Sequence, residues 1–129
     1  MKGLRDYFEN KRGTGVMSTA DKDGKVNASI YSRPHFMEDG SVAFIMSDRL
    51  THHNLLSNPH AAYLFMEEGL GYKGKRLYLT KIREEKNKDL IQSLSRRGYR
   101  NEKTGARFLV VFQVDKVMPL IGAGDETEG

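Results

Sequence analysis

The stretch Ser41–Leu56 constrains this chain most. An unbroken apolar run, Val42 to Met46, passes with no room for a long loop into the polar segment Ser47-Asp48-Arg49-Leu50-Thr51-His52-His53-Asn54, then returns to Leu55-Leu56. Gly40 and Asp48 bracket the run, and consecutive apolar residues between turn formers predict a buried strand. The polar segment has the character of a helix entry: Ser47 or Asp48 is placed to cap, and Asn54-Leu55-Leu56 begins an apolar face. A strand that feeds straight into such an entry is suited to hold an anion, because backbone N–H groups, the helix dipole and Arg49 converge on one spot. The expected ligand is a phosphate.

Around that stretch the chain punctuates itself into strands. Val16–Ala20 and Val26–Ser32 flank Asp21-Lys22-Asp23-Gly24-Lys25, in which Asp-Gly is a hairpin signal and Gly24 supplies the positive φ of a tight turn. On the second strand Val26, Ala28 and Ile30 share one face, and Asn27, Ser29 and Tyr31 the other. Pro34 ends it or forces an edge. Glu38-Asp39-Gly40-Ser41 is a second turn, so Ser41–Met46 pairs back as a third strand. Asn58-Pro59 stops the central helix. His60–Glu67, Lys75–Arg83 and Arg107–Val117 follow as strands, the second of them with Leu77, Leu79 and Ile82 set against Arg76, Tyr78 and Thr80 and a bulge near Thr80-Lys81. Helices are expected over Gly3–Lys11, on Leu4, Tyr7 and Phe8, and over Glu84–Tyr99, on Leu90, Ile91 and Leu94, with Gly98 near its end. The fold class is therefore mainly β with short helices: six antiparallel strands closing into a small barrel, one mouth covered by the helix after the third strand.

Size and composition bound the function. At 129 residues the chain suits a single domain, expected over 1–121, with an acidic tail, 122–129, expected to be disordered. No cysteine is present, which excludes disulfides, thiolate metal sites and a cysteine nucleophile. The start, MKGLRDYFENKRG, lacks the apolar core of a secretory signal, and no run approaches a membrane span; a cytoplasmic protein is expected. The net charge of +4 is unevenly spread, since the tail carries Asp125, Glu126 and Glu128 and no base. A basic balance suits nucleic acid or a protein holding an anionic cofactor.

The order of parts narrows that choice. A strand pair around Asp-Gly, a proline after the second strand, a strand–polar–helix unit ending Asn54-Leu55, and the closing His60-Ala61-Ala62-Tyr63-Leu64-Phe65 strand together resemble the FMN-binding split barrels of the pyridoxamine 5′-phosphate oxidase-like family. The resemblance runs from about Gly15 to Val117 and rests on order and spacing rather than on any one motif. It implies a six-stranded antiparallel split β-barrel, a homodimer with flavin at the interface, and FMN as cofactor. It implies an oxidoreductase working through the flavin on a small-molecule substrate, with a nicotinamide nucleotide as a potential electron donor; a flavin module for electron transfer or sensing is the alternative. True pyridoxamine-phosphate oxidase activity is not expected, because the C-terminal extension of those enzymes is lacking.

The same resemblance assigns residues. Met46 and Ser47 end the strand that runs along the flavin. Thr51 stands where many relatives place a phosphate-binding lysine and some a threonine, and Asn54 matches a common family position. Asn27, Ser29, Tyr31 and Ser32 would face the ring edge or the ribityl chain. Ser47–Asn54 contains no lysine, so Arg49, with His52 or His53, would supply the positive charge, a guanidinium being able to grip phosphate with two parallel bonds.

Each assignment has a plainer rival. Arg49 also reads as a solvated helix-entry charge, and Thr51 as an N-cap. His52 and His53 point about 100° apart on a helix and lack a carboxylate partner at metal-binding spacing, so no metal is expected. Lys81, Arg83, Lys86, Lys88 and the Arg96-Arg97-Arg100 cluster are the sequence basis for a nucleic-acid surface. With only Tyr99 interleaved, they read instead as the polar face opposite Leu90 and Leu94.

Overall fold

A computed structural model describes residues 3–94 and 107–122. The tail beyond Gly122, and Arg96, Arg97, Gly98, Tyr99 and Arg100, lie outside the described residues. Ten elements follow in chain order: α1 (Leu4–Asn10), β1 (Gly13–Ala20), β2 (Val26–Ile30), β3 (His35–Phe36), β4 (Val42–Ser47), α2 (Leu50–Ser57), β5 (His60–Glu67), β6 (Gly74–Glu85), α3 (Lys88–Leu94) and β7 (Arg107–Pro119). The strands form one antiparallel sheet in the order β2-β1-β5-β6-β7-β4-β3. The six expected strands are all present, and the two-residue β3 is a seventh, too short to carry a sequence pattern.

The sheet curls until its two ends approach each other without pairing. Tyr31, just past β2, meets Phe44 of β4 edge to face at 6.2 Å between ring centroids. The barrel is thus split between its first and last strands. Its interior is filled by Met17, Phe44, Met46, Tyr63, Phe65, Leu77, Leu79, Phe108, Val110 and Phe112, with Leu4 and Phe8 of α1 and Leu55 of α2 packed in from the helices. A second cluster on the outer side of β4 and β7 buries Ala43, Leu109 and Val111 under Ile91 of α3. That covering explains the unbroken run Val42–Met46: β4 is apolar throughout because it is buried on both faces.

Three local expectations are corrected. Glu84 and Glu85 are good helix formers, yet they belong to β6, where they pair with Val110 and Leu109, so the third helix starts at Lys88. Ile82 does not share the buried face of Leu77 and Leu79, because the register slips between Lys81 and Arg83 and leaves it 48% exposed. Neither Ser47 nor Asp48 caps α2; Arg49 occupies the N-cap position with no side-chain cap.

The turn Asp21–Lys25 is tight as expected, with Gly24 at φ 87° and Asp21 accepting from the backbone N–H groups of Asp23 and Lys25. Among the described residues no helix is long and apolar enough to cross a membrane.

Candidate functional site

The split in the barrel holds a cleft of about 850 Å³. One wall is β2 with its continuation, contributing Asn27, Ser29, Ile30, Tyr31, Ser32 and Arg33. The other is β3 and β4, contributing His35, Phe44, Ile45 and Ser47. Arg49, Leu50 and Thr51 close it from the start of α2, Arg107 stands beside Ser47, and Gly13 completes the lining. Among the described residues three arginines line this cleft and no carboxylate does, so its chemistry favours an anion.

A polar ladder joins the helix entry to the sheet. Thr51 Oγ1 lies 3.1 Å from Ser29 Oγ and accepts from Asn27 Nδ2 at 3.2 Å, while Asn27 Nδ2 also reaches Ser29 Oγ at 3.2 Å. One turn later Asn54, fully buried, donates to Thr19 Oγ1 at 3.1 Å. Helix α2 is therefore seated by hydroxyls and amides more than by an apolar stripe, and Leu56 on it is exposed. This inverts β2: its polar face turns inward beneath α2, and Val26 and Ile30 turn outward, 82% and 70% exposed. Burial pushes the Tyr31 hydroxyl above its ordinary pKa, against an opposing contribution from Thr51, so at neutral pH it is a neutral phenol.

His52, the neighbour of Thr51, faces away from the cleft. Its ring stacks on Phe108 at 4.0 Å, with Nδ1 3.2 Å from Asp48 Oδ1 and Nε2 2.9 Å from Glu84 Oε1. Burial alone would raise the Glu84 carboxyl, but hydrogen bonds from Lys81 and His52 and their charges hold it below the usual range. The ring thus ties together the segments that carry Arg49, Thr51 and Arg107.

Of the residues expected at a cofactor, Asn27, Ser29, Tyr31, Ser32, Ser47, Arg49 and Thr51 share this one cleft. Met46 points into the core, His52 into its carboxylate cage, Asn54 onto Thr19, and His53 is exposed off the lining. Arg107 and Arg33 carry charge into the cleft and were not signalled by the sequence. Arg107 arrives through the pairing of β7 with β4, which sets it opposite Ser47.

The sequence model described as pyridoxamine 5′-phosphate oxidase matches residues 3–118. Among solved structures, an FMN-binding protein from Syntrophomonas wolfei subsp. wolfei superposes with a TM-score of 0.75 at 18% identity, covering 95% of this chain and 87% of that one. An F420 reductase gives a TM-score of 0.65 at 16% identity, covering 91% and 98%. The styrene monooxygenase flavin reductase of Pseudomonas putida S12 gives 0.58 at 8% identity, covering 97% and 89%. At these identities the likenesses show a shared fold. No curated protein matches the chain.

Proposed function

The chain belongs to the pyridoxamine 5′-phosphate oxidase family, and from that premise we propose that it is an FMN-binding flavoprotein that passes electrons to or from a small molecule. The observation that carries this reading is the cleft set in the split of the barrel, lined among the described residues by three arginines and no carboxylate. Arg49 and Arg107 would hold the phosphate with Ser47 and Thr51, where guanidinium forks and hydroxyls suit a dianion. Asn27, Ser29, Tyr31 and Ser32 supply donors and acceptors for the ribityl chain or the ring edge. When bound, FMN supplies reversible hydride and single-electron chemistry. The chain's own residues bind it, orient it and keep water off it. The F420 reductase fold keeps a deazaflavin as the rival cofactor.

The purified protein is expected to bind FMN at least about tenfold more tightly than riboflavin, since charge-assisted phosphate bonds separate the two ligands. Fluorescence quenching of each flavin measures this. Equal affinities would remove the phosphate from the reading, and failure to bind either flavin would remove the cofactor. Reduction of the FMN-loaded protein by NADH or NADPH under anaerobic conditions, faster than that of free FMN, supports an enzyme; reduction no faster leaves an electron-transfer module.

We further propose a homodimer through the outer face of β2, β1, β5 and β6. Register places Ile30, Val16 and Leu64 in one row across it, and Ala28, Ser18, Ala62 and Tyr78 in the next. Val26, Leu64, Met66 and Tyr78 leave apolar area exposed there, and Ile30 joins this face to the cleft. Val26→Asp with Ile30→Asp is expected to weaken self-association at least about a hundredfold, by burying uncompensated charge in the contact. Light scattering after size exclusion reads the mass; a wild-type monomer at tens of micromolar would overturn the dimer.

A further inference from the structure

His52 is buried, only 3% exposed, and a carboxylate faces each of its ring nitrogens. Nδ1 lies 3.2 Å from Asp48 Oδ1 and Nε2 lies 2.9 Å from Glu84 Oε1, while the stack on Phe108 holds the plane of the ring. An ionised carboxylate only accepts hydrogen bonds, and a neutral imidazole has one N–H to give. Both contacts are therefore made only by the doubly protonated ring. A neutral ring sets a lone pair against one of the two carboxylates.

The two partners are not equivalent. Glu84 on β6 also accepts from Lys81 Nζ at 3.1 Å. Burial alone would raise its carboxyl, but hydrogen bonds from Lys81 and His52 hold it below the usual range, so it stays ionised at neutral pH. Asp48 is 66% exposed, and its side chain has no other partner among the described residues. When the ring gives up a proton, the one that remains stays toward Glu84, and Asp48 turns to water. The other charges near the ring are cations: Lys81, Lys86 with Nζ 5.5 Å from the Phe108 centroid, and Arg107, next to Phe108 on β7. They oppose a further positive charge there, and Asp48 and Glu84 favour it.

Asp48 sits between two residues of the cleft wall, Ser47 and Arg49. The turn is tight, with the Arg49 N–H donating to the Ser47 carbonyl at 2.8 Å. Freeing Asp48 therefore loosens the turn that presents Arg49.

We propose that His52 is a positioning residue for the anion end of the cleft: the proton on Nδ1 fixes Asp48 and with it the Ser47–Arg49 turn, so phosphate is gripped while that proton is present and released as it is lost. This rests on the flavin reading above, which puts the phosphate at Arg49. The sign is fixed by the geometry: affinity for FMN falls as pH rises through the titration of the ring.

The protein is first titrated without ligand between about pH 6 and about pH 9, following the His52 nitrogens by proton–nitrogen correlation spectroscopy. Both nitrogens are expected to be protonated at the acid end, and Nδ1 to lose its proton within the window. A ring neutral throughout, a ring doubly protonated throughout, or loss from Nε2 instead overturns the proposal.

FMN and riboflavin affinities are then measured by fluorescence quenching over the same window in wild type, Asp48→Asn and His52→Gln. In Asp48→Asn the side-chain amide accepts from a protonated Nδ1 and donates to a bare one, so the contact survives in both states. From the acid to the alkaline end, FMN affinity of wild type is expected to fall about fivefold relative to Asp48→Asn. Ionisation of the phosphate itself, near about pH 6, is common to both proteins and cancels. His52→Gln has no proton to lose and is expected to follow Asp48→Asn; Asp48 is exposed, so its variant carries the test even where His52→Gln does not fold. Riboflavin affinity is expected to hold within about twofold, since it has no phosphate for Arg49 to meet.

Parallel pH profiles for FMN in wild type and Asp48→Asn overturn the proposal. So does an equal alkaline loss of riboflavin affinity, which would make the ring a support of the whole barrel. A wild-type protein that binds no FMN, or binds it no better than riboflavin, identifies failure of the flavin reading and takes the positioning role with it, whatever the ligand-free titration of the ring shows.

Discussion

Gly15→Ala is expected to lower the melting temperature by about 10–20 °C, a loss of roughly 3–5 kcal/mol for a domain of this size. A Cβ at Gly15 would lie 2.0 Å from Tyr63 Oη and 2.6 Å from the Tyr31 carbonyl oxygen. Neither neighbour has room to yield. Tyr63 is fully buried, with Phe44 and Phe8 against its ring at 4.9 and 6.3 Å between centroids. Its hydroxyl is shared between the carbonyls of Ser32 at 3.0 Å and Tyr31 at 3.3 Å. Relieving the clash means both overpacking the core and breaking a buried hydrogen bond, two costs that add.

Tyr63→Phe separates them. It removes only the hydroxyl and is expected to cost about 1–2 kcal/mol. Thermal unfolding followed by circular dichroism measures both variants, and a Gly15→Ala protein within about 1 kcal/mol of wild type would show that Tyr63 moves freely. The same contact links stability to the site. Tyr63 holds the carbonyls of Tyr31 and Ser32, so the wall of the cleft that ends in Arg33 is only as well placed as the space above Gly15 allows.

The fold was legible where local chemistry leaves one choice. Asp23-Gly24 turns because glycine takes the φ of 87° found there. The run Val42–Met46 reads as buried because both faces of β4 are covered, one by the barrel interior and the other by α3. Alternation on β2 divides the strand into an apolar and a polar face, but which face turns inward depends on what sits above it. Here Thr51 and Asn54 of α2 present polar groups, and the polar face meets them. A pattern rule that turns valine and isoleucine inward has no access to that helix.

Charge in the cleft was half legible for a similar reason. Arg49 is local to the strand-to-helix switch and was visible in the sequence. Arg107 reaches the cleft only because β7 pairs with β4 across a long stretch of chain, and Arg33 only because the segment after β2 folds over the end of α1. His52 looked like a ligand beside Thr51. The helix instead aims it at Phe108 and Glu84, since adjacent helical residues point in different directions.

Arg49→Ala is expected to weaken FMN binding by about ten- to a hundredfold, or about 1.4–2.8 kcal/mol, the scale of a lost charge-assisted contact. Riboflavin affinity is expected to hold within about twofold, because the change removes a phosphate partner and nothing that faces the ring. Thermal stability should also hold, since the Arg49 side chain is exposed and enters no ion pair among the described residues. Arg49→Lys should recover only part of the affinity, as an ammonium meets phosphate as a point charge without the fork. His53→Ala is the control: that ring is exposed, lies off the cleft and should change FMN affinity by less than about threefold. Raising the ionic strength should narrow the gap between wild type and Arg49→Ala, because salt screens an exposed guanidinium. Equal FMN affinities for wild type, Arg49→Ala and His53→Ala would move the phosphate away from the start of α2, and with it the charge logic of that end of the cleft.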